Sequence, residues 1–146
     1  PKMKVSDVVE FGKQNGKGKI FTDWTEDEIT QHVCLHHKNG TLMVASECSK
    51  IIGFLIYRRI KNFDGNILSH FWAPNDPSGT DVYIHELCSA ADNVAYTLFS
   101  RFEELNPDAG LLKYWAHRQY KLKKYRYKDF RRLMLWENQS HRPHLT

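Results

Sequence analysis

The chain has 146 residues, enough for one ordinary domain and too few for two independent cores with a linker between them. Its 41% hydrophobic and 13% aromatic content, beside 26% charged residues, excludes a disordered, collagen-like or low-complexity chain. The formal charge of +4 is unevenly placed: Leu111 to Arg132 carries nine bases against Asp129 alone, a net +8, and everything else sums to −4. A strongly cationic element on a slightly acidic body is a candidate for binding something anionic.

In chain order, Ser6 to Phe11 predicts a short helix N-capped by Ser6, with Glu10 in its first turn and Gly12, Gly16 and Gly18 ending it. Thr25-Glu26-Asp27-Glu28 has the capping-box pattern and starts a second helix, which runs through Ile29, Val33 and His36 to a left-handed stop at Asn39-Gly40. Two β-rich runs, Thr41 to Glu47 and Lys50 to Ile60, flank Cys48-Ser49 and read as an antiparallel hairpin. Gly53 inside the second run marks a bulge or a close approach. Ile67 to Trp72 reads as a strand fragment, followed by a loop at Ala73 to Gly79 and a strand at Val82 to Cys88. Asp92 to Leu105 is an amphipathic helix with Val94, Leu98, Phe102 and Leu105 on one stripe, ended by Asn106-Pro107-Asp108.

Leu111 to His117 is a strand, and Tyr120 to Leu135 reads two ways, as a basic helix or as a helical turn followed by a last strand. The order predicts an α/β (α+β) fold: a mixed, mostly antiparallel sheet with helices on its faces, in a single domain over 1–136 with a polar tail at 137–146. Cys34, Cys48 and Cys88 form no C-x-x-C pair and are odd in number, which points to a reducing compartment. With no apolar run near ~18 residues and no charged-then-apolar start, the expectation is a cytoplasmic protein that does not enter a membrane.

The hairpin Thr41–Ile60, followed by the strand Tyr83-Ile84-His85-Glu86-Leu87-Cys88-Ser89 and a helix, resembles the GCN5-related N-acetyltransferase fold over roughly residues 4–135. Within that family it is most similar to small stand-alone proteins of the kind seen in bacteriophage genomes. The resemblance implies acetyl-CoA seated where the family's fourth and fifth strands splay apart, and transfer of its acetyl group to an amine. The family's acid–Leu–small pattern on the strand before the main helix is matched by Glu86-Leu87-Cys88-Ser89.

By resemblance, Glu86 is the base, Tyr120 or Tyr125 the acid, and Cys88, Ser89, Asn93 and Val94 the cofactor contacts. The chain departs from the family at the pyrophosphate turn, because Ala90 to Tyr96 holds no glycine and puts Asp92 where phosphate would approach. Strand alternation puts Val82, Ile84, Glu86 and Cys88 on one face and His85 on the other. Burial disfavours the charged form of a carboxylate, a setting suited to a general base; the structural alternative is an ion pair of Glu86 with Arg118.

His32 and His36 lie four apart on a predicted helix, the spacing of imidazoles that share a metal, but no third ligand stands at a recognisable spacing and Cys34 points elsewhere. The expectation is a partly exposed histidine face with no metal. Cys88 reads as a small core residue. In the cationic segment, a helix would put Leu122, Tyr125 or Arg126, Asp129 or Phe130, and Leu133 on one docking side while Lys123, Lys124, Lys128 and Arg131 face solvent. With Lys113, Arg118, Lys121, Arg126 and Arg132, these bases suit nucleic acid, the phosphates of coenzyme A or an acidic protein surface. Two functions follow: an acetyl-CoA-dependent N-acetyltransferase, or a non-catalytic protein of the same fold that binds nucleic acid or a partner through its basic segment. If the chain is phage-encoded, its place is the host cytoplasm or the virion.

Overall fold

The computed structural model describes residues 3–15, 23–90, 93–118 and 121–139. Two helices come first, α1 (Val5–Asn15) and α2 (Glu26–Asn39), then the hairpin β1 (Leu42–Glu47) and β2 (Lys50–Ile60). They are followed by β3 (Asp81–Ser89), α3 (Val94–Leu105), β4 (Lys113–Arg118), β5 (Lys121–Arg126) and α4 (Tyr127–Gln139). The result is α+β: a five-stranded mixed sheet in the order β1-β2-β3-β4-β5, flanked by helices. Every neighbouring pair is antiparallel except β3 and β4, which α3 joins as a parallel crossover.

Local chemistry accounts for the clearest elements. The Thr25 hydroxyl accepts the Glu28 N–H at 3.1 Å and the Glu28 carboxylate accepts the Thr25 N–H at 2.8 Å, closing the capping box. α2 stops at Gly40, where φ is +74°. Cys48 and Ser49 both take positive φ, 52° and 65°, which matches the turn to the twist of β1 and β2. At Gly53 both expected features occur: the β1–β2 register shifts beside it, and a Cβ there would lie 2.4 Å from Val94 Cγ1 and 2.9 Å from the Cys88 carbonyl oxygen.

Alternation along β2 divides the core between the two faces of the sheet. Leu55 and Tyr57 join Leu98, Phe99, Phe102, Tyr114 and Phe130 under α3 and α4. Phe54 and Ile56 join Val8, Val9, Ile29, Val33 and Cys88 under α1 and α2. Cys88 is therefore the small core residue expected of it.

Four expectations are corrected. Gly12 is buried inside α1, which begins at Val5 and continues to Asn15, so Ser6 is not its cap; Gly16 and Gly18 lie outside the described residues. Ile67 to Trp72 forms no strand; it contains a 3₁₀ turn at Ile67–Ser69, and Leu68 and Trp72 are exposed, with no neighbouring strand to pair them. The buried stripe of α3 is Val94, Ala95, Leu98, Phe99 and Phe102, and Leu105, at the helix end, is 62% exposed. In the cationic segment the strand comes first and the helix second, because Lys121–Arg126 pairs with the free edge of β4 from Arg118↔Lys121 to Lys113↔Arg126. Among the described residues, no helix is long and apolar enough to cross a membrane.

Candidate functional site

The parallel pairing of β3 with β4 is brief. Only Asp81↔Lys113, Val82↔Tyr114 and Tyr83↔Trp115 are joined, and beyond them the strands part. The opening is a cleft of about 290 Å³. Ile84 to Leu87 and Ser89 line one wall, Ala116, His117 and Arg118 the other, and Phe130, Leu133 and Met134 of α4 close the back. An apolar lining with a few converging polar groups suits a small-molecule site.

Glu86 stands in this cleft, and its surroundings differ from the expectation. The β2–β3 register shifts between Ile56↔Glu86 and Tyr57↔Ile84, leaving His85 as the extra residue of a β-bulge. The bulge breaks the alternation, so Ile84 joins the core under α3 while His85 and Glu86 both turn toward α2. His85 is thus not opposite Glu86. The partner of the Glu86 carboxylate is His32, whose Nε2 lies 3.0 Å from Oε2, and not Arg118.

α2 delivers two histidines to the same place. His32 and His36 are 0% and 1% exposed, so the expected partly exposed histidine face is corrected for this pair, while His37 and Cys34 are exposed. The rings of His32, His36 and His85 lie 4.7 to 5.1 Å apart, centroid to centroid. Trp24 and Phe71 close over His32 at 5.0 and 5.3 Å. His36 Nδ1 is 2.7 Å from the Thr41 hydroxyl.

Burial, followed by the charges of His32 and Arg58, holds His36 down to about 3. Burial first, then His36, His32, Arg58 and His117, holds His85 well below the ordinary imidazole range. His85 stands opposite Ile84, as alternation expects; the residue that escapes a sequence reading is Glu86, which the bulge brings to the His85 side, and only pairing with β2 creates that bulge.

Two further residues flank this group. Arg58 is 1% exposed; its Nη2 donates to the Phe71 carbonyl at 2.7 Å, while Nε and Nη1 meet no hydrogen-bond partner among the described residues. The Tyr83 hydroxyl lies 2.8 Å from His117 Nε2, beside the point where β3 and β4 separate. Burial, and then the Glu86 charge, raise the Tyr83 phenol above its ordinary value and keep it protonated.

The other expected site residues are dispersed. Ser89 borders the cleft, whereas Cys88, Asn93 and Val94 are not part of its lining. Asn93 takes φ +70° before α3, and Val94 is buried over Gly53. Tyr125 lies in β5 opposite Tyr114, with its ring 6.0 Å from Phe130, outside the cleft lining. Tyr120 and Asp92 lie outside the described residues, as does the tail after Gln139.

Of the bases, Lys113, Lys121, Lys123, Lys124, Arg126, Lys128 and Arg132 are exposed. Lys124 stands 5.4 Å over the Trp115 ring, and Arg126 pairs with Asp129 at 3.3 Å. Arg131 does not face solvent as expected; its Nη2 donates to the Tyr96 hydroxyl at 2.6 Å, tying α4 to α3. Lysines on an edge strand also discourage pairing with other chains, which gives part of this charge a structural purpose.

The chain matches no protein-family model, and no curated protein matches it.

Proposed function

We propose that the chain is an N-acetyltransferase of the GCN5-related kind, using acetyl-CoA to acetylate an amine. The observation that carries this reading is the separation of β3 from β4 after Tyr83↔Trp115, with Glu86 on the wall of the resulting cleft. The lining fits the acyl and pantetheine arm of the cofactor: Ile84, Leu87, Ala116 and Leu133 are apolar, and Arg118 and His117 stand on the β4 wall. Acetyl-CoA, when bound, supplies the acetyl group as an activated thioester.

The chain's own residues have three tasks. Glu86, oriented by His32, accepts a proton from the incoming ammonium. Tyr83, held by His117 and protonated, is better placed than Tyr125 to act as the acid. The apolar wall from α4 excludes water from the reacting groups. The missing glycine turn leaves the phosphates to Arg118 and the neighbouring bases of β5.

Calorimetric titration with acetyl-CoA tests the reading. Binding at up to about 1 mM is expected, and its absence there removes the enzyme reading. Glu86→Gln should lower turnover while cofactor binding persists.

A second reading is favoured by the exposed row Lys121, Lys123, Lys124, Arg126, Lys128 and Arg132 on β5 and α4, which suits a polyanion. In that case nucleic-acid binding weakens steeply between roughly 50 and 200 mM salt and falls when Lys123, Lys124 and Lys128 are neutralised.

A further inference from the structure

On the α2 side of the sheet, His32, His36 and His85 each offer a ring nitrogen within 4.8 Å of those of the other two. The hydrogen-bond partners of His36 and His32 admit the neutral tautomers that a metal ligand needs. With the Thr41 hydroxyl donating to the His36 carbonyl oxygen at 3.4 Å, it accepts from His36 Nδ1–H at 2.7 Å, and in that tautomer the lone pair of His36 falls on Nε2. The Glu86 carboxylate accepts, so His32 Nε2 carries a hydrogen and the lone pair falls on the other ring nitrogen. Nε2 of His36 and Nε2 of His85 are buried and meet no hydrogen-bond partner among the described residues. Buried ring nitrogens without partners are uncommon and call for an explanation.

We propose that His32, His36 and His85 form a binding site for a divalent transition-metal ion, with Zn²⁺ the expected occupant, and that Glu86 and Thr41 orient the ligands from behind. A carboxylate or hydroxyl on the far nitrogen of a ligating histidine is the usual support of such a site. In a tetrahedral zinc site with bonds of about 2.0–2.1 Å, ligand nitrogens stand roughly 3.4 Å apart, so the three rings need to close by about 1 Å. An all-imidazole donor set selects zinc, cobalt, nickel or copper over magnesium or calcium. Three protein ligands leave a fourth position for water or an anion.

Arg58 opposes the added charge, so binding should be weaker than in a four-ligand structural site, and Arg58→Met should tighten it. The site does not depend on the acetyltransferase reading. Zinc binding and acetyl-CoA binding are separate titrations, and either can fail without the other.

The test uses the untagged full chain, stripped with a chelator and titrated with Zn²⁺ and, separately, Co²⁺. The expected result is one ion per chain, a raised melting temperature, and the intense visible absorption of tetrahedral nitrogen-coordinated cobalt. His85→Ala should lose at least about tenfold in affinity and Thr41→Val about tenfold, while His37→Ala, on the exposed side of α2, should match the parent. Equal zinc binding by His85→Ala and the parent, or no binding by the parent at about 100 μM, overturns the site. If His85→Ala does not fold, the cobalt spectrum of the parent decides: a tetrahedral band supports the site and its absence overturns it.

Discussion

Arg58 and Arg59 are neighbours on β2, both buried, and they serve opposite faces of the sheet. Arg59 forms a two-pronged pair with Asp108 at 2.7 and 3.0 Å and also donates to the Gly79 carbonyl and Asn106. Arg58 has the Phe71 carbonyl, and its Nε and Nη1 meet no hydrogen-bond partner among the described residues. The same contrast runs through the layers around them. Under α3 and α4 the core is aromatic, with Phe99, Phe102, Tyr114 and Phe130 in mutual ring contact, and the buried phenol of Tyr114 donates to the Ala109 carbonyl at 2.6 Å. Under α2 the sheet meets three histidines, Arg58 and Glu86. One face spends its side chains on cohesion, while the other buries nitrogens of Arg58, His36 and His85 that meet no hydrogen-bond partner among the described residues.

The difference can be broken by substitution, beginning with the largest effect. Phe99→Ala should cost ~3–5 kcal/mol in urea unfolding, because the ring is fully buried among Phe102, Tyr114 and Phe130. Arg59→Met should cost ~2–3 kcal/mol, since the Gly79 carbonyl and Asn106 lose their donor in the interior; Asp108 is 44% exposed and can return to water. Arg58→Met should change stability by less than ~1 kcal/mol, or raise it, because a guanidinium with bare nitrogens gives way to an apolar chain of similar length. A loss for Arg58→Met as large as that for Arg59→Met would erase the proposed difference between the faces.

The smallest effect is a pH dependence. The Arg59 guanidinium holds the Asp108 carboxyl below its ordinary value of 3.8. Its contribution is therefore complete above that value and disappears as pH falls through the lower folded-state value. The melting temperature of the parent should exceed that of Asp108→Asn by a constant margin above about pH 5, and the two should converge only as pH falls below the ordinary value and through the lower folded-state one. A margin that widened in acid would contradict the pairing.

What the sequence makes legible is what short-range chemistry decides. Thr25 and Glu28, Gly40, the turn at Cys48-Ser49 and the crowded Gly53 each announce themselves within a few residues. So does Glu86 as an acid on a strand, which the structure leaves half-buried. The features that escape depend on partners far along the chain. Glu86 turns to the α2 side only because β3 carries a bulge against β2, and Ile67–Ser69 coils because no strand among the described residues lies beside it. The boundary between β5 and α4 is obscured because bases and aromatics in 121–132 satisfy a period of two and a period near 3.6 alike. His32 and His36 were visible as a spaced pair, while their meeting with His85 depends on how α2 packs on β3.

The central claim is that the cleft between β3 and β4 holds an acyl-CoA, and amide chemical-shift mapping on the ¹⁵N-labelled chain with acetyl-CoA addresses it directly. The account predicts shifts concentrated at Ile84 to Leu87 and Ala116 to Arg118, the two walls of the opening. Shifts confined to the exposed bases of β5 and α4, or none at about 1 mM cofactor, would contradict it and leave the polyanion reading in its place.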